Sequence, residues 1–459
     1  MPKRYHIDVH EAPHRYPVIG RSGIVDWGEG CLKCARCVKL DCIYDVYRGR
    51  SFSDATMADT IDELCRNCFR CVQGCPKRLI HKTVNPEWEA LGDDLYTPEI
   101  ISVTWEQARS GKIPVSGAGY GGPFAGPGFD SMWTDMSEIV RPTRDGIHGR
   151  EYISTVVDMG RRPPRLTFDE RGTLQTVPKP SLRIPLPIAF DILPFGDLSN
   201  DVLKAMALAA GRIGTRMFVR ASDTASLAEF SFLLVPVLEA EELSPDGLSS
   251  YEMVELHDSE DVLDRSAKLK EQKPDLIVSI RMPALSANVD RATHLAQSGA
   301  EVLHLVADER GYEPESAAGL HISDVVRKLH ARLMDESIRD ETTVMATGGI
   351  AMAEHVVKSM LCGANLVGVD VPLLIALECQ VCRTCIEGGS CPVQISSIDP
   401  GWGSHRIVNL MAAWHNQLLE MMGAMGIREA RRLRGEQGRI MLFRDLEADT
   451  FARLFGPSA

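Results

Sequence analysis

Thirteen cysteines are the most chemically informative residues of this chain, because twelve of them fall into three short runs. The runs are CLKCARCVKLDC, CRNCFRCVQGCP and CQVCRTCIEGGSCP. Their members are Cys31, Cys34, Cys37 and Cys42 in the first run, Cys65, Cys68, Cys71 and Cys75 in the second, and Cys379, Cys382, Cys385 and Cys391 in the third. Such clustering favours metal ligands over disulfides in a reducing compartment. Cys362 stands alone in a helical pattern and is predicted to be an inert core thiol.

The second run has the spacing C-x2-C-x2-C-x3-C-P, with which bacterial ferredoxins bind iron-sulfur clusters. In that arrangement three thiolates hold one cluster and the fourth reaches a neighbouring cluster. The first run differs from it by one residue. The spacing therefore predicts two [4Fe-4S] clusters, one on Cys31, Cys34, Cys37 and Cys75 and the other on Cys65, Cys68, Cys71 and Cys42. Zinc is the alternative, but four-cysteine zinc sites use two separated C-x2-C pairs.

The third run, C-x2-C-x2-C-x5-C-P, could hold a third cluster by itself. The alternative is that its four thiols pack in a core as small hydrophobic groups. Arginine, glutamate and glycines between the cysteines indicate an irregular loop, which favours the cluster.

Length and charge limit what surrounds these cysteines. The chain has 459 residues, 44% of them hydrophobic, which is enough for two or three globular domains. Its formal net charge of −13 argues against nucleic-acid binding. The longest apolar stretch, Phe230 to Leu238, falls short of the roughly 18 residues that span a membrane. The first residues, MPKRYHIDVHEAPHRYP, lack the apolar core of a secretory signal. We therefore expect a cytoplasmic protein that does not span a membrane.

Short apolar runs alternate with helical patterns from Arg183 to Asp370, which predicts a parallel α/β sheet. A closed (β/α)8 barrel and an open doubly wound sheet are the two possibilities. Gly348 and Gly349 end one late strand and Gly368 lies in the next, as at the phosphate site of a barrel, whereas no glycine fingerprint follows the first strand. The barrel is therefore favoured.

The rest of the chain divides around that barrel. We predict a ferredoxin-like domain at residues 1–110, a Gly/Pro-rich linker and docking segment at 111–180, the barrel with the third cysteine run at 181–400, and a helical segment at 401–459. The linker contains IPVSGAGYGGPFAGPGFD, which lacks the spacing and the lysine of a P-loop. In the last segment HRIVNLMAAWHNQLLEMMGAMG has apolar residues at helical spacing, which predicts a packed helix, with a protein interface as the alternative.

From about Phe129 to Leu442 the chain resembles the FMN-binding synthase domain of glutamate synthases, especially the archaeal-type form that carries ferredoxin modules. Three stretches carry the resemblance. TGGIAMAEHVVKSMLCGANLVGVDVPLLIALECQVCRTCIEGGSCPVQI looks like the FMN-phosphate segment and the cysteine motif that follows it. ILPFGDLSNDVLKAMALAA is similar to the first strand and helix of the barrel. SSYEMVELHDSEDVLDRSAKLKEQKPDLIVSIR looks like the segment that leads to a flavin-side lysine, here Arg281.

The resemblance implies an FMN-type (β/α)8 barrel and a set of flavin-binding residues. That set is Pro194, Phe195, Gly196, Arg281, Gly348, Gly349 and Gly368. Arg281 would also be catalytic, by stabilising a reduced anionic flavin. In the family three thiolates bind a [3Fe-4S] cluster, and Cys379, Cys385 and Cys391 take those places here. Cys382 offers a fourth ligand, so the third cluster is either [3Fe-4S] or [4Fe-4S].

Three functions follow from these patterns. The first is an iron-sulfur flavoprotein subunit of a multi-subunit oxidoreductase, relaying electrons from the ferredoxin-type clusters to FMN and the third cluster. Its partners would be other subunits and a ferredoxin or an NAD(P)H-oxidising protein. The second is a glutamate synthase subunit that reduces the 2-oxoglutarate imine with ammonia from a separate glutaminase chain. The third is a flavin-free scaffold and electron wire, which the DERGYEPE loop at 308–315 favours because the family has a GGTG-like loop there.

One histidine allows two interpretations. His304 lies in the predicted strand EVLHLVAD and could act as an acid or base at the barrel mouth. A hydrogen-bonded histidine within a strand is the more common situation, and it is our prediction here.

Overall fold

A computed structural model shows two compact units. The first comprises Met1–Ala12, Val103–Cys379 and Arg383–Ala459, and the second comprises Pro13–Ser102 and Gln380–Cys382. The structure describes residues 5–26, 30–48, 60–61, 64–113, 128–134, 152–162, 166–176, 179–196, 198–239, 245–314, 319–450, 454 and 456. Most of the predicted Gly/Pro-rich linker lies outside these described residues.

The second unit is small and contains the first two cysteine runs. Its strands β1 (Ser22–Asp26) and β2 (Ile80–Val84) pair antiparallel, and its helices are a π-helical turn (Cys37–Asp41), α1 (Arg70–Gly74) and α2 (Pro86–Glu89). One buried cluster, Val46, Tyr47, Cys71 and Ile80, lies among the cysteines, and Cys37, Cys42, Cys65 and Cys75 pack against it. Groups bound by the cysteines would add to the stability of this cluster.

The first unit is built around a closed barrel of eight parallel strands. They are β6 (Ile188–Phe190), β7 (Met217–Arg220), β8 (Leu234–Leu238), β9 (Met253–His257), β10 (Ile277–Pro283), β11 (Val302–Val306), β12 (Thr343–Thr347) and β13 (Leu366–Val369). Neighbours in this order pair in parallel, and β13 pairs with β6 to close the ring. The predicted barrel is therefore confirmed, and the open sheet is excluded.

Helices connect most of the barrel strands, as the helical periodicities predicted. They are α4 (Asn200–Ile213), α5 (Val262–Gln272), α6 (Val289–Gln297), α7 (Ile322–Asp335) and α8 (Ala353–Cys362), and a further helix, α9 (Val371–Ala376), follows the last strand. α4 ends at Gly214, whose φ of +80° is the left-handed conformation that closes many helices. Between β7 and β8 the connection is a 3-10 segment, Ala221–Phe230.

Several elements lie outside the barrel sequence. α3 (Pro98–Ser110) precedes it, and two antiparallel pairs join β3 (Met132–Thr134) to β14 (Ile440–Leu442) and β4 (Val157–Gly160) to β5 (Ser181–Ile184). After it come α10 (Pro400–Ala424) and α11 (Phe443–Thr450). Asp399 caps α10 by accepting the Trp402 N–H at 2.7 Å. The methionines Met411, Met421 and Met422 of α10 are buried, as expected for a packed helix.

Among the described residues, none of the helices combines the length and apolar character that crossing a bilayer requires.

Candidate redox site

A cleft of about 460 Å³ opens where the barrel strands reach their carboxyl ends. This is the end at which barrels of this class carry their active sites. Four arginines and four carboxylates contribute to its walls, so charge is the dominant feature of the cleft. The lining residues are Asp191, Ile192, Leu193, Pro194, Arg220, Arg281, Val306, Ala307, Asp308, Glu309, Arg310, Thr347, Asp370 and Arg383.

Arg281, the predicted catalytic residue, lies on β10 between two fully buried carboxylates. Its Nη1 and Nη2 donate to the two oxygens of Asp191 at 2.9 and 3.0 Å, and Nη1 also donates to Oε2 of Glu255 at 3.0 Å. Burial raises the pKa of Asp191, but the charges of Arg281 and His304 outweigh it, so the pKa of Asp191 is below its ordinary value. The guanidinium side chain is 14% exposed. Arg281 therefore reaches the cleft with its positive charge already paired with two buried carboxylates.

His304 belongs to the same buried network. Its Nδ1 lies 2.7 Å from Oε1 of Glu255, and its Nε2 lies 2.7 Å from Oγ1 of Thr347. Gly368, predicted to border a phosphate, lies against Thr347, since a Cβ on it would come within 1.9 Å of Oγ1. Both ring nitrogens of His304 are thus hydrogen-bonded within the barrel, as predicted for a histidine within a strand.

The glycine pair predicted to bind phosphate packs against the chain's own loop. Gly348 and Gly349 have φ values of +108° and +70°, which favour glycine. A Cβ on Gly348 would lie 2.4 Å from the carbonyl oxygen of Asp308, and one on Gly349 would lie 2.8 Å from Cα of Gly311. The Gly349 N–H donates to the carbonyl of Glu309 at 3.3 Å. The pair is therefore explained by close backbone packing.

Two neighbouring backbone donors are also engaged. Just before α8, the Ala351 N–H donates to Nδ1 of His355 at 3.1 Å. At the start of α9, the Val371 N–H donates to Oδ1 of Asp370 at 2.6 Å. Asp370 is buried, and burial together with the charges of Asp191 and Glu309 raises its pKa to about 7. The Asp370 side chain thus occupies the start of α9 itself.

The first predicted flavin segment follows β6. Pro194 lines the cleft, and the ring of Phe195 lies 5.2 Å below the guanidinium of Arg383. Gly196 has a φ of +117°, and a Cβ there would lie 3.0 Å from the side chain of Leu198. The cleft therefore brings Pro194 and Arg281 together, whereas it does not include Gly348, Gly349 or Gly368.

Replacing Asp370 with asparagine is expected to stabilise the protein at pH 8. The folded pKa of Asp370 is above its ordinary value, so the native protein loses stability as pH rises from about 4 to 7. Asparagine keeps the cap and removes this loss, and the gain should grow by on the order of 2 kcal/mol between pH 5 and pH 8. Thermal unfolding followed by circular dichroism at both pH values measures it.

Asp399→Asn is the matched control, because Asp399 is an exposed capping aspartate. We expect its effect to stay within about 0.5 kcal/mol at both pH values. Equal responses of the two variants, or a gain at Asp370 that does not change with pH, would contradict the expectation.

In the second unit, the cysteines of the first two runs line two separate cavities. One is lined by Cys31, Cys34, Cys37 and Cys75, and the other by Cys42, Cys65, Cys68 and Cys71. Each cavity thus contains three cysteines from one run and one from the other. This is the grouping that the ferredoxin spacing predicts.

All three cysteine runs share an unusual backbone conformation. In each C-x2-C-x2-C stretch, the residues two and four places after the first cysteine have φ between +54° and +58°. These residues are Lys33 and Ala35, Asn67 and Phe69, and Val381 and Arg383. Such values are uncommon outside glycine, and for a β-branched residue such as Val381 they are strained. The three stretches therefore share one local backbone conformation.

The third run lies between α9 and α10 in a stretch of turns. Cys379, Cys385 and Cys391 belong to the first unit and are partly buried, whereas Cys382 is exposed in the segment Gln380–Cys382 of the second unit. Cys362 is fully buried in α8, where burial raises its pKa to about 12, as expected for an inert core thiol.

Three buried carboxylates of the barrel mouth were not anticipated as a group. Glu255 lies in β9, whereas Asp191 directly follows β6 and Asp370 directly follows β13, so the three are remote in the sequence. A weak signal exists, since Asp191 and Asp370 each directly follow an apolar strand, at the carboxyl end where barrel sites form.

Comparison with known proteins identifies the relatives of this chain. The conserved region of glutamate synthases matches residues 242–428. The archaeal-type glutamate synthase (NADPH) of Dehalococcoides mccartyi is 24% identical over 89% of this chain and 92% of its own length. The archaeal glutamate synthase (NADPH) of Archaeoglobus fulgidus is 24% identical over 89% of this chain and 91% of its own length.

Solved structures give a more distant similarity. A flavocytochrome b2 variant with bound pyruvate is 12% identical, with a TM-score of 0.44, over 72% of this chain and 83% of that one. A mandelate oxidase variant is 16% identical, with a TM-score of 0.39, over 67% and 98% of the two chains. The match at residues 242–428 and the two sequence relatives, together with the closed barrel, indicate what the main domain of this chain resembles. The chain contains a glutamate-synthase-like domain, in which residues 242–428 match the conserved region of glutamate synthases.

Proposed function

We propose that this chain is an iron-sulfur electron-transfer subunit of a glutamate-synthase-related oxidoreductase. The observation that carries the proposal is the grouping of the first eight cysteines around two cavities. Four thiolates around one small cavity fit a [4Fe-4S] cluster, and the exchange of one cysteine between runs fits a two-cluster ferredoxin. Residues 1–110 would form that ferredoxin-like domain, and the linker and docking segment would follow at 111–180.

A third cluster would bind to the run between Cys379 and Cys391. The support is the backbone conformation that this run shares with the first two, including the strained Val381. Cys379, Cys385 and Cys391 would supply three thiolates, and the spacing of Cys382 leaves the choice between [3Fe-4S] and [4Fe-4S] to experiment. Residues 181–400 would thus combine the barrel and its cluster, with the C-terminal helices at 401–459.

FMN is the cofactor that the relationship suggests for the barrel. The ring system and the phosphate of FMN fit this site differently. When bound, FMN can exchange one or two electrons, which links single-electron clusters to hydride chemistry. The volume of the cleft suits the ring system of FMN, and Pro194 and Arg281 line this cleft. The phosphate fits poorly, since the Gly349, Ala351 and Val371 N–H groups already have acceptors. We therefore expect FMN to bind weakly at this mouth.

The same engaged donors favour a second candidate function, a flavin-free scaffold that conducts electrons to a partner. The third, synthesis of glutamate with ammonia from a separate glutaminase chain, requires flavin and therefore depends on the same measurement. In each case the chain would act in the cytoplasm with other subunits, and with a ferredoxin or an NAD(P)H-oxidising protein as electron donor.

Acid-released flavin, iron and sulfide in the purified protein distinguish these functions. We expect about twelve irons per chain if all three sites hold four-iron clusters, and FMN below one per chain. One FMN per chain would contradict the scaffold. Absence of flavin with full iron would exclude both flavin-dependent functions, and absence of iron and sulfide, with zinc in their place, would refute the proposal as a whole.

A further inference from the structure

Lys82 places an ammonium group directly on one of the two four-cysteine sites. It lies on β2, paired with Ile24 of β1, and its Nζ is 2.6 Å from Sγ of Cys65. The same Nζ donates to Oδ1 of Asn67 at 3.1 Å and lies 5.1 Å from the ring centroid of Phe69. Alternate residues of the C-x2-C-x2-C stretch thus hold the charge in place.

The other site has a different kind of sulfur contact. The Leu79 N–H donates to Sγ of Cys75 at 3.4 Å, and the Lys33 N–H donates to Sγ of Cys31 at 3.5 Å. Both donors are backbone dipoles, whereas Lys82 brings a full positive charge at shorter range. Arg36 and Lys77 also line that cavity, and Asp41 and Arg66 line the cavity of Lys82. Lys82 is in direct contact with a sulfur, and since Coulomb energy falls with distance, its charge acts strongly on its own site.

A nearby cation favours the form of an iron-sulfur site that carries more negative charge, which is the reduced form. Lys82 is partly buried, so water screens this interaction less than it would at an exposed position. Hydrogen bonds to the sulfurs act in the same direction. The side chain is thus placed to raise the reduction potential of one site selectively.

We propose that Lys82 makes the site of Cys42, Cys65, Cys68 and Cys71 the more easily reduced of the two. This rests on the proposed function, because it requires clusters at both sites. In this role Lys82 is not a catalytic residue, since its charge acts on a thiolate ligand and not on a substrate. Electrons shared between the two sites would therefore reside mainly at the Lys82 site.

A redox titration of the full chain, followed by electron paramagnetic resonance, tests the proposal. Lys82→Met removes the charge and keeps the apolar stem, and Lys82→Gln also keeps a donor for Asn67. In both variants the ratio of reduced to oxidised cluster at one site, at a fixed potential, should fall about tenfold, which corresponds to about 59 mV for one electron. The other site should stay nearly unchanged, and Lys82→Arg should restore most of the ratio.

Lys77→Met is the matched control, because Lys77 lines the other cavity. It should leave the Lys82 site unchanged. Neutral variants with full iron and unmoved potentials would overturn the proposal, as would an arginine variant that shifts as far as methionine. Loss of the cluster from both neutral variants would also overturn it, because Lys82 would then hold the site together. A native chain without iron would instead refute the proposed function itself.

Discussion

Replacing Cys75 with serine is expected to remove the cluster that we propose for the first cysteine run and to leave the cluster that we propose for its own run intact. Cys75 lines the cavity of Cys31, Cys34 and Cys37, although it follows Cys71 by only four residues in the sequence. A serine hydroxyl is a much poorer iron ligand than a thiolate. Iron and sulfide analysis should show a loss of about four irons per chain, as expected for one four-iron cluster.

Cys42→Ser is the reciprocal variant, and it should remove the cluster of Cys65, Cys68 and Cys71. Double variants then separate exchange from simple sequence order. Cys31→Ser with Cys75→Ser should lose no more iron than either single variant, whereas Cys31→Ser with Cys42→Ser should lose both clusters. Cys362→Ala is the control and should keep all iron, since Cys362 is buried in α8. The opposite pattern of the double variants would show that each run binds its own cluster.

The cysteine grouping could be predicted from sequence because a cluster imposes short-range rules on its ligands. C-x2-C-x2-C spacing brings three thiolates to one centre, and the distance from Cys71 to Cys75 is suited to reach a second centre. The positive φ values at Asn67 and Phe69 could not be predicted in the same way. Neither residue is a glycine, so its conformation depends on the geometry of the whole loop.

The barrel was predictable where its strands were regular and bounded by clear helices. β10, β11, β12 and β13 all appeared as apolar runs in the sequence. β8 and β9 are harder to predict from the sequence as separate strands. Pro236 lies in the middle of β8, and proline argues against a central strand when only the sequence is considered. In the closed barrel β8 still pairs with both neighbours, so tertiary structure outweighs this local signal.

The role of Arg281 shows the limit of sequence reasoning at the barrel mouth. The sequence places an arginine at the end of a strand, where it suggests a free cation for an anionic ligand. Its partner Asp191 is 90 positions away and Glu255 is 26 positions away, and only the closed barrel brings them together. Similarly, Gly349 suggests room for phosphate until the backbone of Glu309 is seen to occupy its N–H.

Replacing Arg281 with methionine is expected to destabilise the barrel by about 3–5 kcal/mol, which is the usual cost of leaving buried charges without their partner. Asp191 and Glu255 have no exposed surface, and Arg281 supplies hydrogen bonds to both. In the native protein burial opposes the charged carboxylates, but Arg281 and His304 hold the pKa of Asp191 below its ordinary value, and His304 and Arg281 do the same for Glu255. The contribution of Arg281 is therefore present at neutral pH and is lost as pH falls. Without it, burial raises those pKa values. The variant should therefore lose stability as pH rises, in the opposite sense to the native pair.

Thermal unfolding at pH 5 and pH 8, followed by circular dichroism, distinguishes this outcome from a simple packing defect, which would be independent of pH. Arg291→Met is the matched control, because Arg291 pairs with Asp258 in a more exposed position and should cost less than about 1 kcal/mol. Adding Asp191→Asn and Glu255→Gln to Arg281→Met should recover much of the loss, because neutral amides leave no unpaired charge. If the triple variant were no more stable than Arg281→Met alone, buried charge would not be the cause of the loss.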